Sequence, residues 1–199
     1  MIVHDMEQGT EEWFSVRLGI PTASRFADIY TSTGKVASGQ ERYLHSLVAE
    51  WLMGERAETY TNEHMARGNE LEPEARSFYE FDSGLEVTET GFITTDDGMI
   101  GGSPDGMTDA GGLEIKCPTP HVHVEYLLRG KCPSKYLPQV HGLMFLTGRE
   151  HWDFVSFHPD MPKQLVVRVE RDEKWIAGFA AEIQKFNEKL LSMRERLAA

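Results

Sequence analysis

The chain has 199 residues, 40% of them hydrophobic and 26% charged, with 9 prolines, a globular composition that excludes collagen-like, disordered and coiled-coil classes. That length suits one domain over residues 1–199, burying on the order of 70% of its unfolded surface. With a net charge of -12, no apolar run of the ~18 residues that span a bilayer and only two distant cysteines, Cys117 and Cys132, the sequence excludes membrane spans, disulfide frameworks, zinc fingers and four-cysteine iron–sulfur sites. The expected setting is therefore cytoplasmic and unexported, with no membrane partner and both thiols as bystanders.

Residues 10–18 read as a short helix, with Glu11 and Glu12 favourable in its first turn and Gly19 as its stop. Thr22 or Ser24 suits the cap of a second short helix. A capping box of Ser38 and Glu41 opens a longer helix whose core face is Leu44, Leu47, Val48, Trp51 and Leu52, ended by Gly54. The next, over 62–82, starts near Asn62 and aligns Ala66, Leu71, Ala75 and Phe78, with Pro73 as a kink and Glu70, Glu72 and Glu74 around it. After Gly84 the period becomes two. Leu85–Glu89, Phe92–Thr95, Met99–Ser103, Met107–Asp109 and Leu113–Cys117 read as strands of a hairpin series. Helical signals resume at 120–129 and 134–147, strands at His151–His158 and Gln164–Glu170, and a last helix capped by Asp172 carries Ile176, Phe179, Ile183, Phe186, Leu190, Met193 and Leu197 at spacings of three and four.

Charge is unevenly distributed. Residues 50–115 hold 16 acidic against 3 basic residues, and 116–149 hold 1 against 5. Carboxylates beside cations suit a metal-dependent enzyme acting on a polyanion, although two solvated faces would give the same count. The most informative stretch is Gly101-Gly102-Ser103-Pro104-Asp105-Gly106, followed by Gly112-Leu113-Glu114-Ile115-Lys116. On a strand, Glu114 and Lys116 share one face while Leu113 and Ile115 point into the core, and the intervening turn folds Asp105 back beside them. Two carboxylates and a flanking carbonyl are hard oxygen ligands for Mg²⁺ or Mn²⁺, and Lys116 would meet a phosphate or an attacking water. The plainer reading is a tight hairpin with a solvated Glu–Lys pair at its end. Taken jointly, the residues favour the catalytic reading, and a carboxylate of the 62–82 helix, Glu72 first among them, could complete the site, although any one helical glutamate is more often solvated surface.

The order of helix, hairpin with P-D and E-x-K, helix and strand is similar to the PD-(D/E)xK nuclease superfamily, which implies an α/β, restriction-endonuclease-like core with a mixed central β-sheet flanked by helices. Within it, the chain resembles the lambda-type phage alkaline exonucleases, or YqaJ-like viral recombinases. The motifs that carry this likeness are Trp13-x3-Arg17-Leu18-Gly19 with Thr22-Ala23-Ser24, Gly68-x3-Glu72 with Ala75-Arg76, Ser103-Pro104-Asp105-Gly106, Leu113-Glu114-x-Lys116-Cys117-Pro118, Gln139-Val140 and Glu170-Arg171-Asp172-Glu173-Lys174.

The resemblance implies that Asp105 and Glu114 are metal ligands, assisted by the Ile115 carbonyl, that Lys116 is the catalytic lysine and that Glu72 is a further acidic residue of the metal site. Arg17, Ser24 and Ser103 match positions around the 5′-phosphate of the processed strand, in keeping with an arginine fork and a helix N-terminus. Ser24 is equally an ordinary cap. Gln139 would orient groups near the metals, or lie on the surface. The family's arginine shortly after the K-C-P segment has no counterpart in Thr119-Pro120-His121-Val122-His123. His121 and His123 are the available substitutes, although two exposed histidines beside a proline are more often uninvolved. What the likeness implies is a 5′→3′ exonuclease using two Mg²⁺ ions, with Mn²⁺ as a substitute, to digest one strand of linear double-stranded DNA. It would work as a ring-shaped homotrimer beside a single-strand annealing protein, in the cytoplasm of a phage-bearing bacterial host. Gly34-Lys35 lacks the rest of a nucleotide-binding loop, so translocation would draw on hydrolysis itself. An endonuclease of the same superfamily and a non-catalytic DNA-end binding module are the alternatives.

Overall fold

Everything near the acidic motif is hung on one parallel strand pair. The computed structural model describes residues 1–55 and 63–198. In it β5 (Gly112–Lys116) lies parallel to β6 (His151–Ser156), Leu113 opposite Asp153 and Lys116 opposite Ser156. Parallel neighbours need a crossover, supplied here by α4 (Pro120–Arg129) and α5 (Leu137–Thr147). β4 (Gly106–Met107) and β7 (Leu165–Glu170) flank the pair antiparallel, giving a mixed sheet in the order β4-β5-β6-β7. Both of its faces are covered. Leu113, Ile115 and Val155 pack against Ala75 and Tyr79 of α3 (Glu63–Ser83), and Phe154, on the opposite face, packs against Tyr126 of α4 and Tyr136 beside α5. The expected α/β architecture, a mixed sheet between helices, is present.

A second, antiparallel sheet joins β1 (Ile2–His4), β2 (Phe92–Thr94) and β3 (Gly101–Gly102). The break between β3 and β4 falls at Ser103-Pro104-Asp105, where proline has no N–H to continue a ladder. The Pro104 carbonyl instead accepts from the Gln8 amide at 3.1 Å.

The larger core lies between helices. The 3₁₀ helix Ala23–Asp28, α2 (Gln40–Met53), α5 and α6 (Glu173–Ala198) enclose Phe26, Leu47, Leu143, Trp175, Phe179 and Phe186. Asp172 caps α6 through the Trp175 N–H at 2.9 Å, as its sequence predicts. Close approach at Gly142 is what lets α5 meet the 3₁₀ helix, since a Cβ there would stand 2.1 Å from the Phe26 ring.

Several expectations are corrected. The strand Ile2–His4 carries no alternation that announces it and exists by pairing with β2. Leu85–Glu89 forms no strand, only a single bridge between Thr88 and Met107. Met99–Ser103 shortens to Gly101–Gly102, and the hairpin strand Met107–Asp109 shifts to Gly106–Met107. The Ser38–Glu41 capping box does not form. α2 is preceded by Gly39 without a side-chain cap, and Gln40 binds Glu182 of α6 at 2.8 Å. Trp51 and Leu52 are exposed at 38% and 54%, because the last turn of α2 runs past the core that holds Leu44, Leu47 and Val48. Leu197 is likewise exposed at the far end of α6. α3 continues as helix through Pro73. Its expected start at Asn62 and the Ala66 side chain lie outside the described residues.

Asp153 of β6 faces α3 and accepts from the Tyr79 hydroxyl at 2.7 Å and from two nitrogens of Arg168 at 3.0 and 3.1 Å. Burial raises its pKa, but these donors outweigh it and hold the carboxyl below its ordinary value. A depressed carboxyl contributes stability above its unfolded pKa and loses it as pH falls through the lower folded value. Asp153→Asn is therefore expected to cost about 2 kcal/mol at pH 7 in urea unfolding, and the gap to wild type should close on acidification below about pH 4. Gly142→Ala is expected to cost about 1–3 kcal/mol by overpacking against Phe26, seen as a lower melting temperature.

Candidate active site

Ser103-Pro104-Asp105 emerges at the point where the two sheets part, and β5 receives it. The Asp105 N–H donates to the Leu113 carbonyl at 3.3 Å, and its Oδ2 accepts from the Ile115 N–H at 2.6 Å. The fold-back expected from the turn is thus made by one main-chain bond and one from the Ile115 N–H to the Asp105 carboxylate. Glu114, on the face opposite Leu113 and Ile115, is wholly buried. Its Oε2 accepts from the Gln139 amide of α5 at 2.6 Å, and its Oε1 is ion-paired with the Lys116 ammonium. Lys116 also lies 5.4 Å from the centre of the Tyr136 ring. Gln139 is therefore half-buried against Glu114 and does not lie on the open surface.

Glu72 reaches the same place from α3. Burial, then the Asp105 charge, pushes its pKa to about 7, while burial, with Asp105 and Glu72 adding to it, pushes Glu114 to about 8 against the pull of Lys116. Burial raises Asp105 as well, against Lys116, the Ile115 N–H and Arg76. Desolvation lowers Lys116, but Glu114 and Asp105 more than reverse it and hold the ammonium charged. One buried carboxyl and two half-buried ones, with Asp105 raising Glu72 and both of them raising Glu114, form a site short of positive charge. Glu70 and Glu74, by contrast, face solvent.

Ile115, whose N–H holds Asp105, is itself buried between α3 and β6. Among the described residues no three carboxylate, imidazole or thiol groups already converge as a closed ion cage. The donor set is nonetheless all oxygen, the chemistry that fits a hard divalent cation with retained waters.

Immediately before Asp105, Ser103 belongs to a second cluster. Its hydroxyl accepts from the Trp13 indole at 2.9 Å and from Arg17 at 3.5 Å, and donates to the Gly91 carbonyl at 2.8 Å. The Arg17 guanidinium lies 3.7 Å above the Trp13 ring. Thr10 caps α1 (Glu11–Val16) through the Trp13 N–H at 3.3 Å, which fixes the turn that presents both residues. Ser24 is exposed within the 3₁₀ helix whose cap position is Thr22, and its hydroxyl lies 3.4 Å from that of Thr22.

The histidines resolve differently from expectation. His123 is fully buried, bonded to the Ser156 hydroxyl at 2.7 Å and the Lys163 carbonyl at 2.9 Å, because its turn of α4 faces β6. It is not a substitute for the absent arginine. His121 is exposed beside Thr119. A cation does reach the K-C-P segment, from α3. Arg67 donates to the Cys117 and Pro118 carbonyls at 3.3 and 3.2 Å and lies 3.2 Å from His158. Sequence reading missed Arg67 and gave Arg76 no role, although they are two of only three bases in an otherwise acidic block, the third, Arg56, lying outside the described residues. Burial pushes the Cys117 and Cys132 thiols to about 11 and about 12, so neither is a thiolate at neutral pH.

Residues 12–150 match the YqaJ-like viral recombinase domain. Among solved structures, the chain is similar to the alkaline exonuclease LHK-Exo from Laribacter hongkongensis, at 39% identity and a TM-score of 0.86 over 95% of this chain and 96% of that one. The complex of that enzyme with dAMP aligns at 39% identity and a TM-score of 0.83 over 94% and 96%. A phage-related exonuclease from Haemophilus somnus shares the fold at 18% identity and a TM-score of 0.68, over 87% and 96%. No curated protein sequence matches the chain. The architecture is that of the PD-(D/E)xK fold, and the chain belongs to the YqaJ-like viral recombinase family.

Proposed function

We propose that the chain is a metal-dependent 5′→3′ exonuclease that digests one strand of linear double-stranded DNA from its 5′ end, releases 5′-mononucleotides and leaves 3′ single-stranded tails. Family membership supports a nuclease acting on DNA. The observation that carries the finer reading is the cluster of Asp105, Glu114, Lys116 and Gln139, with Glu72 within range of their charges, beside an arginine already held near Ser103. The mononucleotide in the LHK-Exo complex agrees with a site of this kind.

Asp105, Glu114, Glu72 and the Ile115 carbonyl are the residues that would hold Mg²⁺, or Mn²⁺ in its place, as two ions. Bound there, divalent ions supply Lewis-acid polarisation of a phosphate oxygen and a water that ionises near neutral pH. The Lys116 ammonium, held charged by its acidic neighbours, would neutralise negative charge developing on the scissile phosphate. Gln139 fixes the rotation of the Glu114 carboxylate, leaving Oε1 to face Lys116. The Arg17 fork, pre-oriented on Trp13, suits a terminal phosphate that the Ser103 and Ser24 hydroxyls would supplement. A homotrimeric ring around the duplex and delivery of the 3′ tail to a single-strand annealing protein in a bacterial cytoplasm complete the proposal.

The test is digestion of 5′-phosphorylated linear duplex beside covalently closed circular DNA, with Mg²⁺ or with EDTA. Nucleotides should leave only the linear substrate, only with Mg²⁺, and Lys116→Ala should lower the rate by about a hundredfold or more. Cutting of the circle would make the protein an endonuclease, and no metal-dependent hydrolysis of either DNA would leave a binding module. Wild type should prefer a 5′-phosphate over a 5′-hydroxyl end, and Arg17→Ala should abolish most of that preference, a difference of about 1.5–3 kcal/mol for a hydrogen bond to a charged group. Equal rates on both ends in wild type would remove Arg17 from phosphate binding.

A further inference from the structure

Arg76 has no part in the reading above, yet it ties α3 to the Asp105 loop and to the segment before β2. It is 11% exposed. Its Nε donates to the Asp105 main-chain carbonyl at 3.1 Å, its Nη2 to Glu72 at 2.9 Å, and its Nη1 pairs with Glu89 at 2.6 Å. These partners stand on three separate pieces of chain: α3 itself one turn earlier, the loop between β3 and β4, and the segment leading into β2. No main-chain bond between α3 and the Asp105 loop appears among those of the described residues.

We infer that Arg76 is a positioning residue that sets the separation of Glu72 and Asp105, so that the two carboxyls can serve one divalent-cation site. This rests on the proposed reading of those carboxyls as cation ligands. A planar guanidinium presents donors in fixed directions and can hold a carbonyl and a carboxylate together, whereas an ammonium is a point charge on a flexible stem. Geometry and charge make opposite predictions here. If Arg76 only offset the acidic cluster, its neutral replacement would leave more negative charge and tighten cation binding, and lysine would change nothing. If it positions the ligands, both replacements weaken binding.

The experiment is calorimetric titration of the DNA-free protein with Mn²⁺, on wild type, Arg76→Lys, Arg76→Met and Asp105→Asn, with melting temperatures alongside. Positioning predicts that Arg76→Lys and Arg76→Met fold and bind Mn²⁺ roughly 10–100-fold more weakly than wild type, as loss of a residue that orients metal ligands does. Arg76→Lys that binds like wild type, or Arg76→Met that binds more tightly, overturns the inference. So does failure of both variants to fold, which would make Arg76 a residue of the fold alone. Failure of the underlying reading looks different: wild type takes up no Mn²⁺, or Asp105→Asn binds it as wild type does.

Discussion

Burial of the Glu114 carboxyl on the middle of a central strand is the constraint around which the rest is arranged. A charge removed from water is costly unless it is paired and hydrogen-bonded. Here Lys116, two residues along the same strand, supplies the charge and Gln139 the hydrogen bond, so both must be brought to one face of β5. The first follows from strand periodicity. The second requires that α5 be packed in one rotation, which Val140, Leu143 and Met144, all fully buried, impose. The dense helical core and the acidic strand are thus two parts of one requirement.

The opposite face of the same sheet shows what a carboxylate looks like when the surroundings satisfy it. Asp153 sits across from Leu113 in the parallel register and receives three donated hydrogen bonds, and its proton affinity falls. Glu114, Glu72 and Asp105 are also bonded, yet their proton affinities rise, because desolvation outweighs their donors and the Asp105 charge adds to the rise of the other two. Two buried acids of the same sheet therefore shift in opposite directions. The difference is the balance of fixed positive charge around each, and only the group near β5 is left wanting more of it. Such under-compensated clusters mark sites where a further cation, or a charged substrate, completes the electrostatics.

How far this was legible in the sequence depends on whether a residue's partner lies within its own element. Glu114 and Lys116 were placed correctly because a period of two is a local rule, and Asp172 because a cap bonds three residues on. Asp105 was placed because a turn of few residues has few ways to close. Arg67 carries no such signal, its partner Cys117 lying 50 residues away, and the local pair of Arg76 with Glu72 gives no hint of its bond to Asp105, 29 residues on. The same limit explains Ser38, where a capping pattern was complete in sequence but Gln40 found a better partner in Glu182, 142 residues on. It explains His123 as well, whose partner Ser156 belongs to a strand that a helical pattern cannot anticipate. Only the motif resemblance reached Gln139, since nothing in a helix of apolar residues announces which strand its one amide will meet.

The uneven charge of the chain acquires a physical sense once these contacts are known. Within the acidic block of residues 50–115, Arg67 and Arg76 turn inward to carbonyls and carboxylates near the motif, while Glu70, Glu74 and Glu89 remain at the surface. In the basic segment the reverse holds: Lys116 points into the site, and Arg129, Lys131 and Lys135 are exposed. Lys135 lies 4.7 Å from the Tyr136 ring, whose centre is in turn 5.4 Å from Lys116. A single aromatic ring thus lies between the exposed Lys135 and the half-buried Lys116. A polyanion drawn to that exposed positive charge would be guided toward the carboxylates by attraction from the 116–149 side and by repulsion from the acidic surface beyond them, with the strength of both falling as salt rises. Net negative charge and action on DNA are compatible for this reason: what matters is the sign of the field along the approach to Lys116, and that is set by the residues within about a Debye length of it, roughly 10 Å at 0.1 M salt, and not by the total.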